Sequence, residues 1–126
     1  MKGDDSMNDY QMGVVESKFA DIIWQNEPIS STELTKRSEE LLSWKKSTTY
    51  TVLKRLCDKG IFQNVKGVVT SLISKQEFYS AQSEKFVEET FKGSLPAFLA
   101  AFTARKSLTE DEIKYLRRMI AEYEEE

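Results

Sequence analysis

The residues best suited to specific chemistry lie in one run, WKKSTTYTVLKRL, at positions 44–56. Within it Lys45, Lys46, Ser47, Thr48, Tyr50, Thr51, Lys54 and Arg55 offer cations, short hydroxyls and one aromatic ring. Lysine and arginine reach phosphates or guanine O6 and N7, while threonine hydrogen-bonds base edges or meets a thymine methyl. This is the chemistry of reading duplex DNA rather than of making and breaking bonds.

The rest of the composition argues against catalysis. Histidine is absent, which removes the commonest general base and the commonest metal ligand together. The single cysteine, Cys57, makes neither an intramolecular disulfide nor a zinc site by itself. It follows Leu56 near an apolar face and reads as a small packed side chain, with a redox sensor at the end of the helix as the alternative. Asp111 and Glu112 are raw material for carboxylate chemistry, but their place in a helix-capping sequence accounts for them. The expectation is a protein that is not an enzyme, with no catalytic residue, no metal and no cofactor.

A formal net charge of -3 and a pI near 5.2 speak against a nucleic-acid partner until the distribution is considered. Residues 36–75 carry nine cations, ending in Lys66 and Lys75, against Glu39, Glu40 and Asp58, a balance of +6 that leaves -9 for the remainder. A chain polarised in this way docks its basic segment on phosphates and keeps its acidic segments clear; a solvated charged face is the plainer alternative. With 126 residues, 40% hydrophobic and 31% charged, one compact body with a small appended subdomain is expected. No run approaches the roughly 18–20 apolar residues that cross a bilayer, and the opening MKGDDSMNDY is acidic where a signal peptide is basic. The expected location is the cytoplasm, without membrane insertion.

The elements that must position the basic run follow from periodicity. Val15, Phe19, Ile22 and Ile23 share a helical face, predicting a helix over 14–25 that Asn26 and Pro28 stop. Ser30 to Glu33 forms a capping box for a second helix over 31–42, burying Leu34, Ser38 and either Leu41 or Leu42. Thr49, Val52, Leu53 and Leu56 define the inner face of a third helix over 47–59, closed by Gly60. Two β-rich runs then flank Lys66-Gly67, the signature of a hairpin.

Beyond the hairpin, a helix starts near Lys75 with Phe78, Phe86, Val87, Thr90 and Phe91 on one side and breaks at Gly93-Ser94. An apolar segment over 96–104 follows. A second capping box, Thr109 to Glu112, then opens a helix striped with Ile113, Leu116, Ile120 and Tyr123.

Three helices followed by a hairpin, the third helix basic on its outer face, is the order of a winged helix-turn-helix. The fold class is therefore mainly α with a small β-hairpin wing. An N-terminal winged helix-turn-helix is expected over 12–74 and a helical region over 75–126. Two other uses of the chain stay open at this level: a winged helix serving as a protein-interaction module without DNA contact, and an enzyme built on carboxylates.

The run WKKSTTYTVLKRLCDKGIF, from Trp44 to Phe62, resembles the BlaI/MecI family of penicillinase repressors: a tryptophan, a threonine-rich recognition helix, then Arg-Leu and Lys-Gly. Ile22, Ile23 and Trp24 ahead of Ile29-Ser30 fit the same pattern. So do Phe91-Lys92-Gly93 and the stretch from Ser107 to Ile113, and the resemblance covers nearly all of the chain after Met12.

The resemblance implies a repressor that binds a palindromic DNA operator as a homodimer, with Lys66 and backbone amides of the wing also touching DNA. It implies dimerisation through the helices after the wing, for which Phe91, Leu95, Phe98, Leu99, Phe102, Ile113, Leu116 and Ile120 offer the apolar surface; folding back as ordinary core is the alternative use of those residues. It also implies a membrane sensor protease as a partner that cuts an Asn-Phe bond. Here the corresponding place reads Ala101-Phe102. The C-terminal cysteine cluster of the copper-responsive relatives is missing, and the second strand, VVTSLI, lacks the tyrosines frequent in the family.

Overall fold

The computed structural model describes residues 12–125. Its elements in chain order are α1 (Val14–Asn26), β1 (Ile29–Ser30), α2 (Ser31–Leu42), α3 (Lys46–Asp58), β2 (Phe62–Val65), β3 (Val68–Ser71), α4 (Lys75–Phe91), α5 (Leu95–Arg105) and α6 (Glu110–Glu124). The protein is mainly helical, with one small antiparallel sheet of order β1-β3-β2. The chain divides into two compact units, the first ending at Ser83 and the second beginning at Glu84.

In the first unit, α1 buries Phe19, Ala20, Ile22 and Ile23, the face that its periodicity predicts. Val15, expected on that face, is half exposed in the opening turn. Ser30 caps α2 by accepting the Glu33 amide at 3.0 Å, but the reciprocal half of the expected capping box is replaced, because the Glu33 carboxylate pairs with Arg37 one turn on at 3.0 Å. Leu34 and Ser38 lie inside; of the two leucines at the end of α2, Leu42 packs on the core while Leu41 stays exposed.

Ser43 then turns the chain with φ 59, and the Ser43 and Trp44 amides donate back to the carbonyls of Glu39 and Ser38. The Trp44 ring lies 5.1 Å from that of Phe19. The turn between α2 and α3 is thus anchored on the core rather than left loose.

α3 ends in a Schellman arrangement: the Gly60 amide donates to Cys57 and the Ile61 amide to Leu56, with Gly60 at φ 82. The left-handed conformation suits glycine, and the apolar contact that accompanies the motif joins Leu56 to Ile61, both fully buried. This turn aims the chain into β2.

The strand β1 went unforeseen, because two residues, the second of them the cap of α2, show no alternation to read. It pairs Ile29 with Val69 and Ser30 with Val68, so the hairpin becomes the outer part of a three-stranded sheet fastened to the start of α2. Glu27 secures the same corner, its carboxylate accepting from the Ser71 amide at 2.7 Å and from the Ser71 hydroxyl at 2.9 Å.

The first turns of α4 belong to this unit. Ser74 and Glu77 cap the helix reciprocally, Lys75 pairs with Asp21 of α1 at 2.7 Å, and Phe78 is 2% exposed. Trp24 joins these parts, donating its indole N–H to the Ile73 carbonyl at 3.1 Å and packing against Phe62 and Phe78. The sequence reading divides the chain ahead of α4; the structure divides it within α4, because Phe78 is a core residue of the first unit.

In the second unit the rings of Phe86, Phe91, Phe98 and Phe102 meet at centroid distances of 5.6 to 6.2 Å. Ser94 caps α5, and Thr109 with Glu112 forms the capping box of α6. Neither helix buries a single residue completely.

These contrasting environments separate two phenylalanines on one helix. Phe78→Ala should destabilise the first unit by about 3–5 kcal/mol, whereas Phe86→Ala, at a position 50% exposed, should cost no more than about 1.5 kcal/mol. Urea unfolding followed by tryptophan fluorescence reports on the first unit, where Trp24 and Trp44 reside, and equal losses would contradict this division of α4.

Candidate nucleic-acid interface

α3 positions the hydroxyls and cations of the basic run. Thr49, Val52, Leu53 and Leu56 are buried, and an α-helix that commits one stripe to the core turns the opposite stripe outward. Ser47, Thr48, Thr51, Lys54 and Arg55 are accordingly exposed, with Lys45 and Lys46 at the helix start. Tyr50 lies at the margin, 36% exposed.

The start of α3 is electrostatically distinct. Lys45 occupies the cap without a side-chain hydrogen bond, and no acidic residue falls in the first turn. The free amides and the positive end of the helix dipole therefore add to Lys45 and Lys46 rather than being neutralised, an arrangement that favours an anion.

Ion pairing sorts the cations. Lys45, Lys46 and Lys66 take part in no ion pair among the described residues. Lys54 pairs with Asp58 one turn on, at 3.2 Å, with both side chains well exposed; such a pair contributes only about 0.3–0.5 kcal/mol, so it holds Lys54 weakly. Arg55 differs: its guanidinium bonds Glu16 of α1, whose side chain is only 18% exposed and also accepts the Gly13 amide at 3.2 Å. Arg55, counted from sequence among the DNA-binding residues, is held as a tie between α3 and α1. Nothing in the local sequence signals this pairing, because the partners are 39 residues apart.

The hairpin brings a further cation. Lys66 and Gly67 both have positive φ, 52 and 83, closing the Val65–Val68 pair as a type I′ turn whose twist matches that of the strands. Lys66 is exposed at the tip, flanked by Val65 and Val68, which are 54% and 44% exposed.

The model of the penicillinase repressor family matches residues 12–122. The chain belongs to the penicillinase repressor family. It is similar to the methicillin resistance regulatory protein MecI of Staphylococcus aureus, with 24% identity over 115 residues spanning 88% of this chain and 94% of that protein. It is likewise similar to the penicillinase repressor of Bacillus licheniformis, with 25% identity over 117 residues spanning 90% and 91%. A solved multiple antibiotic-resistance repressor (MarR) from Listeria monocytogenes aligns at a TM-score of 0.48 and 18% identity, covering 96% of this chain and 78% of that one; the assignment of the fold does not rest on it. Family membership agrees with the BlaI/MecI resemblance and with a winged helix in which a third helix precedes the hairpin.

In this penicillinase repressor homologue the residues expected at a dimer contact all lie in the second unit. Leu95, Phe102 and Ile120 are exposed, by 56%, 45% and 60%, while Phe91, Phe98, Leu99, Ile113 and Leu116 are partly covered. Phe98, Leu99, Phe102, Leu108, Tyr115 and Leu116 line an apolar groove bordered by Glu112. Among the described residues no helix is long and apolar enough to cross a membrane, and no cluster of His, Cys, Asp and Glu is arranged to hold a metal.

Cys57 is partly covered beside α3's inner face. Burial pushes its thiol pKa up, the Asp58 charge adds to that, and Lys54 opposes both. Because the thiolate is the reactive form, Cys57 should alkylate more slowly in the folded chain than in urea at the same pH. Asp58→Asn should speed the folded-state reaction at pH 8–9 and Lys54→Ala should slow it. Rates under iodoacetamide, read by mass spectrometry, check both signs, and a folded chain that reacts faster than the unfolded one would contradict the assignment.

Proposed function

We propose that this chain is a sequence-specific DNA-binding repressor acting as a homodimer on a palindromic operator. α3 reads bases through Ser47, Thr48 and Thr51, while Lys45, Lys46, Lys54 and Lys66 engage phosphates. The observation that carries this reading is the outer face of α3, where hydroxyls lie beside unpaired cations at an uncapped helix start, on a chain of a repressor family. Hydroxyls near the start of a recognition helix reach base edges, whereas lysines placed on phosphates bind every sequence alike.

The homodimer is supported by the second unit. α5 and α6 bury no residue, yet isolated helices of such lengths are marginal in water. An apolar surface of this kind calls for a partner, and a second copy meets the need by pairing the same patch across a two-fold axis. The two-fold then accounts for a palindrome, with one α3 for each half-site. Proteolytic release stays outside this proposal: Ala101 stands where the family has asparagine, and the Ala101–Phe102 bond lies within α5.

Two measurements test the proposal. Thr48→Ala and Thr51→Ala should weaken binding to a duplex selected from a random pool by the wild-type chain, by roughly 1–3 kcal/mol for each base interaction removed, and leave binding to a scrambled duplex unchanged. Equal losses on both duplexes would remove α3 as the reading element, and a chain that binds no duplex would favour the protein-interaction alternative. Separately, sedimentation equilibrium at micromolar concentration should show a dimer that Phe102→Glu with Ile120→Glu converts to a monomer; a wild-type monomer refutes the homodimer.

A further inference from the structure

Ser31, the first residue of α2, touches both DNA-facing elements. Its amide donates to the carbonyl of Gly67 at the wing tip, at 2.8 Å, and its hydroxyl accepts from the Tyr50 hydroxyl of α3 at 3.3 Å. A Cβ placed on Gly67 would lie 3.9 Å from the same Ser31 oxygen, so the tip, Ser31 and Tyr50 adjoin one another in a continuous line. The phenol of Tyr50 is thereby engaged with α2, while the residue stays 36% exposed.

We infer that Tyr50 and Ser31 are a positioning pair that holds the wing tip, and with it Lys66, at a fixed offset from the reading face of α3. This rests on the DNA-reading role proposed above. The mechanical reason lies in the hairpin: two four-residue strands carry Lys66 at their far end, and β1 pairs only with residues 68 and 69 of β3. One bond, from the Ser31 amide, ties the tip to α2, and the Tyr50 hydroxyl fixes the Ser31 side chain beside it, so this junction limits how far the Lys66 ammonium moves. A phosphate contact adds to the salt dependence of binding only while the cation stays near the phosphate, so loosening the tip should erase the contribution of Lys66 without removing its charge. Tyr50, expected from sequence to touch DNA, then acts through Ser31.

The experiment uses the full chain and the duplex selected by the wild type from a random pool, with affinity measured over a range of salt concentrations. In the wild type, Lys66→Ala should lower the salt slope by about one unit for each protomer's phosphate contact. In a Tyr50→Phe or Ser31→Ala background the same Lys66→Ala step should fall below about half a unit, and Tyr50→Phe combined with Ser31→Ala should bind no worse than either single variant. Urea midpoints of the single variants close to wild type show that the fold is intact.

If the Lys66→Ala step is equally large in every background, the positioning pair is overturned while the DNA-reading role stands. If Lys66→Ala changes nothing in the wild type, the wing's phosphate contact fails, and this inference with it. If Tyr50→Phe alters base preference at one operator position while Ser31→Ala does not, Tyr50 reads that base directly, which also overturns the inference.

Discussion

Burial of Thr49, Val52, Leu53 and Leu56 against α1, α2 and β2 is the contact on which the rest of this molecule depends. Once that stripe is inside, helical geometry leaves no freedom over which residues face out, and Ser47, Thr48, Thr51 and Lys54 are presented together. Small side chains assist at the centre: Ser38 of α2 and Thr49 of α3 are both fully buried, and their hydroxyls have no partner among the described residues.

The wing is a consequence of how α3 ends. The Gly60 turn places Ile61 back on the core beside Leu56 and starts β2 at Phe62, itself fully buried. From there a four-residue strand, a two-residue turn and a return strand are enough to bring Lys66 out at the tip. The sheet is fastened along one edge of β3, by β1 ahead of α2 and by the Glu27 carboxylate on Ser71. α3 and the wing thus rest on the same core, supported by α1 and α2.

The second unit obeys a different balance. Its helices are well capped, by Ser94 and by Thr109 with Glu112, and Phe86, Phe91 and Phe98 cluster edge to face with Phe102 tilted against Phe98, yet large apolar side chains remain exposed. Capping contributes about 0.5–2 kcal/mol for each helix, which supports helical conformation without supplying a core. The first unit closes on itself and the second does not. That asymmetry is what the proposed division of labour requires, and the charge follows the same division: the cations of residues 36–75 gather in the first unit of a chain that is acidic as a whole.

Much of this was legible before any coordinates. The apolar repeats of α1, α2 and α3, the helix caps at Ser30 and Thr109 and the glycines at 60 and 67 are local signals, each written within a few neighbouring residues, and they place the elements to within a residue or two. The outer face of α3 followed from its inner one. Long-range partners left no such trace. That Glu16 would take Arg55 out of the set of free cations, that Phe78 would join the first unit across the start of α4, that a two-residue strand would form at Ile29, and that Tyr50 would meet Ser31 all depend on segments far apart in the chain being brought together by burial of a common core. Periodicity specifies which side of a helix is inward. Only packing specifies what it meets there, because a side chain's partner is chosen by shape and charge in three dimensions and not by spacing along the chain.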